Sequence, residues 1–157
     1  MSGPLRDAPA EDTVSTVMVD LDRLSAALGA EEVAVAYLFG SAAGGTMRRD
    51  SDADVAVIFR EDTSPERRFQ LRCALSERAA PAAGVDRVDV VDLEAAPPLL
   101  AHEILAKGRL LFSRDERRRV LVTARQTMRY IDWKPMQRVL DDATFRRIRE
   151  GTFGRLP

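Results

Sequence analysis

Apolar and polar positions divide the chain into a series of segments with different periods. Near-continuous apolar runs over residues 33–39 and 55–59 read as strands buried on both faces. Upstream, Val14, Val17, Met18, Leu21, Leu24 and Leu28 recur at helical spacing. Asp12 or Thr13 can cap such a helix and Gly29 can stop it. Thr63-Ser64-Pro65-Glu66 is a helix start, and the stretch carrying Phe69, Leu71, Cys73, Leu75 and Ala79 is expected to be helical to near Pro81. Residues 85–93, VDRVDVVDL, form a β-branched strand interrupted by acids. Pro97-Pro98 punctuates a loop before a short helix over 99–107 that stops at Gly108. From Arg114 onward the chain reads as helical, with Val120, Ala124, Met128 and Ile131 as its apolar stripe. Pro135 is expected to break it after Trp133, and a second helix then carries Met136, Val139, Leu140 and Ala143.

A length of 157 residues suits one domain with a real core. The expected division is a loose arm over 1–11, a main body over 12–113 and a helical extension of the same domain over 114–157, where Phe153 and Leu156 are available to a partner. No run is apolar enough to span a membrane, and residues 1–12 lack the core of a signal peptide. The lone Cys73, read as a packed small hydrophobe, excludes an intrachain disulfide and fits a reducing cytoplasm. With one His and one Cys, a zinc site of those ligands is excluded. His102 reads as a surface or partly packed side chain.

The formal net charge is −1, but it is unevenly spread. Residues 114–157 hold twelve Lys/Arg and six Asp/Glu, whereas the remainder holds twelve basic and nineteen acidic residues. An acidic body suits cation binding and a basic tail suits an acidic partner. Nucleic acid is not the expected partner, because the tail offers few aromatics beyond Tyr130, Trp133, Phe145 and Phe153.

The chemistry concentrates in residues 38–59, LFGSAAGGTMRRDSDADVAVIF. A strand delivers a Gly40-Ser41 turn, a short helix follows, and a second strand opens with Asp52-Ala53-Asp54. Residues two apart on a strand point to one face, so Asp52 and Asp54 project together. Paired carboxylates offer oxygen ligands to Mg2+, which is completed by water and substrate phosphates. Gly40 permits close backbone approach, and the Ser41 hydroxyl and nearby amides can hold phosphate oxygens. A third carboxylate is expected from the 85–93 strand. Asp89 is the choice there because it is mid-strand and flanked by valines, where a buried acid needs a site to face; Asp86 is the alternative register. Asp92, of opposite parity to Asp89, belongs to the other face.

Gly40-Ser41, ten residues, then Asp52-x-Asp54 resembles the signature of the nucleotidyltransferase superfamily that includes DNA polymerase beta. Within it, the chain looks most like the minimal nucleotidyltransferase antitoxins of HEPN–MNT toxin–antitoxin modules, and residues 95–112, AAPPLLAHEILAKGRLLF, are similar to the matching stretch of that family. That stretch implies a helix followed by a strand through Leu110-Leu111-Phe112. The resulting alternation of helices and strands is an α/β fold with a small mixed β-sheet flanked by helices and a helical C-terminal extension. The resemblance makes it the nucleotidyltransferase fold.

The resemblance also implies a reaction. Asp52 and Asp54 would bridge two Mg2+ ions, and Asp89 would bind the ion on the nucleophile side and act as base. Gly40 and Ser41 would hold the β- and γ-phosphates of ATP. The acceptor would be a tyrosine of a cognate HEPN-domain RNase toxin, silenced by adenylylation. One departure stands out: family members often read GSxARG, and here Gly44 occupies the arginine position. Arg48 or Arg49 could restore a cation near the triphosphate. Two rival readings are an antitoxin that acts by docking alone and a transferase for small molecules of the aminoglycoside type.

Overall fold

In the computed structural model, residues 16–44, 46–48 and 52–149 are described. The element order is β1 (Thr16–Met18), α1 (Leu21–Ala27), β2 (Val33–Phe39), a 3-10 turn (Gly40–Gly44), β3 (Thr46–Arg48), β4 (Ala53–Phe59), α2 (Pro65–Ala83), β5 (Val88–Asp92), α3 (Pro98–Lys107), β6 (Arg109–Ser113) and α4 (Glu116–Arg149). Four strands form a mixed sheet in the order β5-β4-β2-β6. Its β4–β5 pair is parallel, and β2 runs antiparallel to both β4 and β6. The expected α/β architecture is borne out.

Two apolar layers explain why β2 and β4 read as continuous apolar runs. On one face Ala36, Leu38, Val55, Val57 and Phe59 pack with Leu24 and Leu28 of α1 and with Leu71, Leu75 and Ala79 of α2. On the other, Val35, Tyr37, Ala56 and Ile58 pack with Ala101 and Ile104 of α3 and Val122 of α4. A strand covered on both faces has no polar parity to display.

Several boundaries differ from the sequence reading. The first helix is short. Asp20 caps it by accepting from the Arg23 amide at 3.0 Å, while residues 16–18 pair with β3 as a two-stranded ribbon. Asp12, Thr13 and Val14 lie outside the described residues, as do Phe153 and Leu156. The Gly-Ser turn continues as a 3-10 turn into β3 rather than as a helix carrying the arginines. Helix α2 passes through Pro81 to Ala83 and stops at Gly84, whose φ of +71° supplies a left-handed cap. It buries Leu71, Leu75, Ala79 and Ala83, four residues apart, and this phase leaves Cys73 exposed, not packed.

Helix α4 corrects one expectation. Pro135 lies inside one continuous helix, since proline removes a single backbone hydrogen bond and good helix formers flank it. The apolar stripe read from the sequence faces outward: Val120, Met128 and Ile131 are exposed, whereas Arg118, Val122 and Gln126 are buried. Polar contacts chose the inner face, as the site shows. No helix among the described residues is long and apolar enough to cross a membrane.

Candidate active site

The site forms where β2 ends and β4 begins. Phe39, the last residue of β2, is the register partner of Asp54, and Asp54 is in turn the register partner of Asp89 on β5. The two carboxylates therefore stand side by side on neighbouring parallel strands, with Asp52 two residues upstream of Asp54. Asp86 precedes β5 and lies outside the strand, so the register brings Asp89 to Asp54. Asp92, of the other parity, is buried and paired with Arg68 at 3.2 Å.

Gly40 turns the backbone directly over Asp54. Its φ is +67°, and a Cβ built there would collide with Asp54 Oδ2. Only glycine satisfies both the left-handed backbone and the close approach. Ser41 follows, exposed, with Ala42 buried beneath it. Gly40→Ala is expected to cost about 1–2 kcal/mol of stability from the left-handed backbone alone. It should also displace Asp54, so that activity falls further than thermal unfolding predicts. Equal activity in the variant would show that the close approach is incidental.

Electrostatics mark Asp54 as the strained member. Burial pushes its pKa up first, and the charges of Asp89 and then Asp52 push it the same way. A divalent cation relieves the repulsion that a proton would otherwise relieve, and three carboxylates with a serine hydroxyl are the hard oxygen donors Mg2+ takes. The donor set fits that ion. Among the described residues, however, no three such side chains converge on one point as they stand, and Asp89 is instead ion-paired with Arg87 at 3.0 Å. Both partners of that pair are largely exposed, so exchanging Arg87 for a cation costs little.

The expected cationic contacts are less complete. Arg48 lies on β3 by its backbone, and Arg49 is outside the described residues. Gly44 is exposed, and a Cβ there would meet nothing within 4 Å. The absence of an arginine at 44 is thus not imposed by crowding. His102 is partly packed, its ring stacked on Tyr130 at 3.8 Å between α3 and α4.

Sequence reasoning missed a second charged centre behind the site. Glu94, just beyond β5, accepts from Arg68 at 3.0 Å, from Arg125 at 3.1 Å and from Arg118. Its backbone carbonyl accepts from Gln126 and Arg129. Arg118 also donates to the Phe59 carbonyl at 3.2 Å. One acid therefore anchors the first half of α4 to the strand that carries Asp89, and this anchoring turns the polar side of α4 inward. The available signal was a lone Glu between an apolar strand end and a proline loop, upstream of an arginine-rich helix.

Residues 24–117 match the family described as polymerase beta, nucleotidyltransferase. The chain belongs to that family. Over 80 residues this nucleotidyltransferase is 34% identical to the protein adenylyltransferase MntA of Shewanella oneidensis, covering 51% of this chain and 54% of the relative. The chain thus spans about half the length of the curated relative it matches. Among solved structures it resembles a chain of a toxin–antitoxin crystal structure with AMP-PNP (TM-score 0.62, 26% identity, 80% of this chain and 98% of that one). It also resembles a chain in the complex of tri-AMPylated Shewanella oneidensis HEPN toxin with MNT antitoxin (TM-score 0.53, 26% identity, 73% of this chain and 85% of that one). The nucleotidyltransferase is homologous to MntA-type antitoxins.

Proposed function

We propose that the chain is an antitoxin of the protein adenylyltransferase type, which transfers AMP from ATP to a tyrosine hydroxyl of a cognate HEPN-domain RNase toxin and so neutralises it. The observation that carries this reading is the register of Asp54 with Asp89 beneath the Gly40 turn. The homology to the Shewanella oneidensis protein adenylyltransferase MntA supports the choice of reaction and partner.

In this reading Asp52, Asp54 and Asp89 hold two Mg2+ ions. When bound, Mg2+ neutralises the triphosphate and acidifies the acceptor hydroxyl. Ser41 and the Gly40 backbone hold the β- and γ-phosphates, with Arg48 or Arg49 supplying the cation that position 44 lacks. The tyrosine oxygen forms a bond to the α-phosphorus, the bond from that phosphorus to the bridging oxygen breaks, and pyrophosphate leaves with the electron pair. Asp89 takes the hydroxyl proton and passes it to solvent. The raised pKa of Asp54 adds a pH dependence: protonation of this carboxyl competes with the cation at higher pH than for an ordinary aspartate, so activity is lost early on acidification.

Co-expression with a cognate HEPN-domain protein, followed by intact mass of that protein, tests the reading. Wild type is expected to add whole AMP units, and the Asp52→Ala, Asp54→Ala variant none. A stable complex without added mass would favour docking alone, a reading to which Gly44 lends some weight. Neither complex nor modification would point to small-molecule acceptors.

A further inference from the structure

Helix α4 is about 50 Å long at 1.5 Å per residue, yet among the described residues side-chain hydrogen bonds tie only its first half to the body. The hydrogen bonds that fasten it come from Arg118, Arg125, Gln126 and Arg129, all onto Glu94 or Phe59. Beyond Trp133 the described side-chain hydrogen bond on the helix is internal, Gln137 to Asp141. An isolated helical half of this kind gains little from propensity alone and is normally held by an apolar face against a neighbour.

That face exists and looks outward. Leu121, Met128, Ile131, Met136, Val139 and Leu140 are each at least 50% exposed. Leu121, Ala124, Met128, Ile131 and Pro135 follow a three-four-three-four spacing, the seam that one helix offers to another, and Val139 falls on the same side, whereas Met136 and Leu140 stand five turns beyond Arg118 and Val122 of the inner row. The seam is set off from the buried inner row of Arg118, Val122 and Gln126, and among the described residues it stays exposed. The family match ends at residue 117, the second residue of this helix. The exposed seam therefore lies beyond the segment that matches the family.

Charge selects the occupant. Helix α4 holds ten Lys/Arg against four Asp/Glu. Arg117 is four residues from Leu121, and Arg138 and Arg146 are seven residues from Ile131 and Val139, all on the seam side. A second copy of this chain is a poor match. An antiparallel pair centred on Ile131 and Asp132 sets Arg117 against Arg146, and a parallel pair sets each arginine beside itself. Like charges across a helix pair are destabilising. An acidic amphipathic helix satisfies both the seam and its border.

We propose that the outer seam of α4 is the docking site for an acidic amphipathic helix of a partner protein, which packs apolar residues onto Leu121, Met128, Ile131 and Val139 and sets acids against the bordering arginines. The proposal rests on the reading that the chain acts on another protein, and it places the grip on that protein on α4, away from the carboxylates.

The test uses the full chain, wild type and Met128→Glu, Ile131→Glu, with two probes. One is the co-expressed HEPN-domain protein. The other is a synthetic helix with a leucine seam flanked by glutamates, alongside a lysine-flanked version. Both substituted residues are exposed, so melting temperature should not change and a lost interaction is not a lost fold. The expected result is a Kd at least ~100-fold weaker for the variant with both acidic probes, binding of wild type that weakens at least ~10-fold from low to high salt, and no binding of the lysine-flanked helix. Equal binding of the HEPN-domain protein by both forms would overturn the docking site and leave the functional reading standing. Binding of the glutamate-flanked helix but not of the HEPN-domain protein would keep the docking chemistry and remove that partner. Two results overturn the proposal outright: a wild-type dimer that the variant abolishes, and seam-dependent binding to phosphatidylglycerol vesicles in place of the acidic probes.

Discussion

Asp54→Asn is expected to lower AMP transfer about a thousandfold, the scale of losing a principal electrostatic stabiliser of a transition state, while raising the melting temperature at neutral pH. The two effects share one cause. Asp54 is partly buried beside Asp89 and Asp52, and its pKa is raised in the fold. The folded chain therefore binds this proton more tightly than the unfolded chain. Below the ordinary aspartate pKa both states are protonated and no penalty exists. As pH rises through that value and then through the raised one, the fold loses stability, and at neutral pH the whole penalty is present. Asparagine keeps the shape and removes the charge. The stability gain is small because solvent still reaches the carboxylate. Adding Mg2+ separates function from fold further: it should raise the melting temperature of wild type and leave that of the variant nearly unchanged, because a ligand stabilises only the state that binds it. Unaltered transfer by Asp54→Asn would remove this residue from the chemistry.

The largest loss of stability is expected from Glu94→Ala, about 3–5 kcal/mol by urea unfolding, the scale of removing one partner from a buried charge network. Arg118 is buried and Arg68 mostly so, and both donate to this carboxylate. Alanine would leave Arg118 with the Phe59 carbonyl as its only remaining partner among the described side-chain hydrogen bonds. Arg68 keeps Asp92 and the Thr63 carbonyl, so Arg118 carries most of the cost. Glu94→Gln, which retains an acceptor, should lose roughly half as much. A change under about 1 kcal/mol in the alanine variant would mean that water replaces the carboxylate without penalty, and that α4 is held by its apolar contacts alone.

The parts of this molecule that were legible in sequence are those governed by local period and parity. Residues 33–39 and 55–59 are apolar on both parities because helices cover both faces, and no helix pattern competes over so short a run. Asp52 and Asp54 announce a shared face by their spacing, and Asp89 stands out as an acid between valines. The contact of Asp54 with Asp89 needed the pairing register, which no single segment contains. Residues 16–18 were illegible as a strand because Val17 and Met18 fit a helical row equally well, and their partner Thr46-Met47-Arg48 shows no alternation. Periodicity found the apolar stripe of α4 but not which side of the helix meets the body. The inner face was decided by Glu94, more than twenty residues upstream, whose buried oxygens outrank an exposed methionine or isoleucine in fixing the rotation of the helix. Arg87 beside Asp89 was likewise invisible, since an arginine two residues from an acid is common on any surface.

Strand β2 is central only because β6 returns to its outer side about seventy residues after β2 is complete. Until Arg109–Ser113 arrive, the backbone of Val35, Ala36, Tyr37 and Leu38 is an unpaired, wholly apolar edge. During synthesis this edge stays open while α2, β5 and α3 are being made, and closing it is a long-range event of the kind that slows folding. The strand that leads into the Gly40 turn is therefore the last to be sealed. In a chain cut short before β6 it would be the surface through which molecules join strand to strand into aggregates.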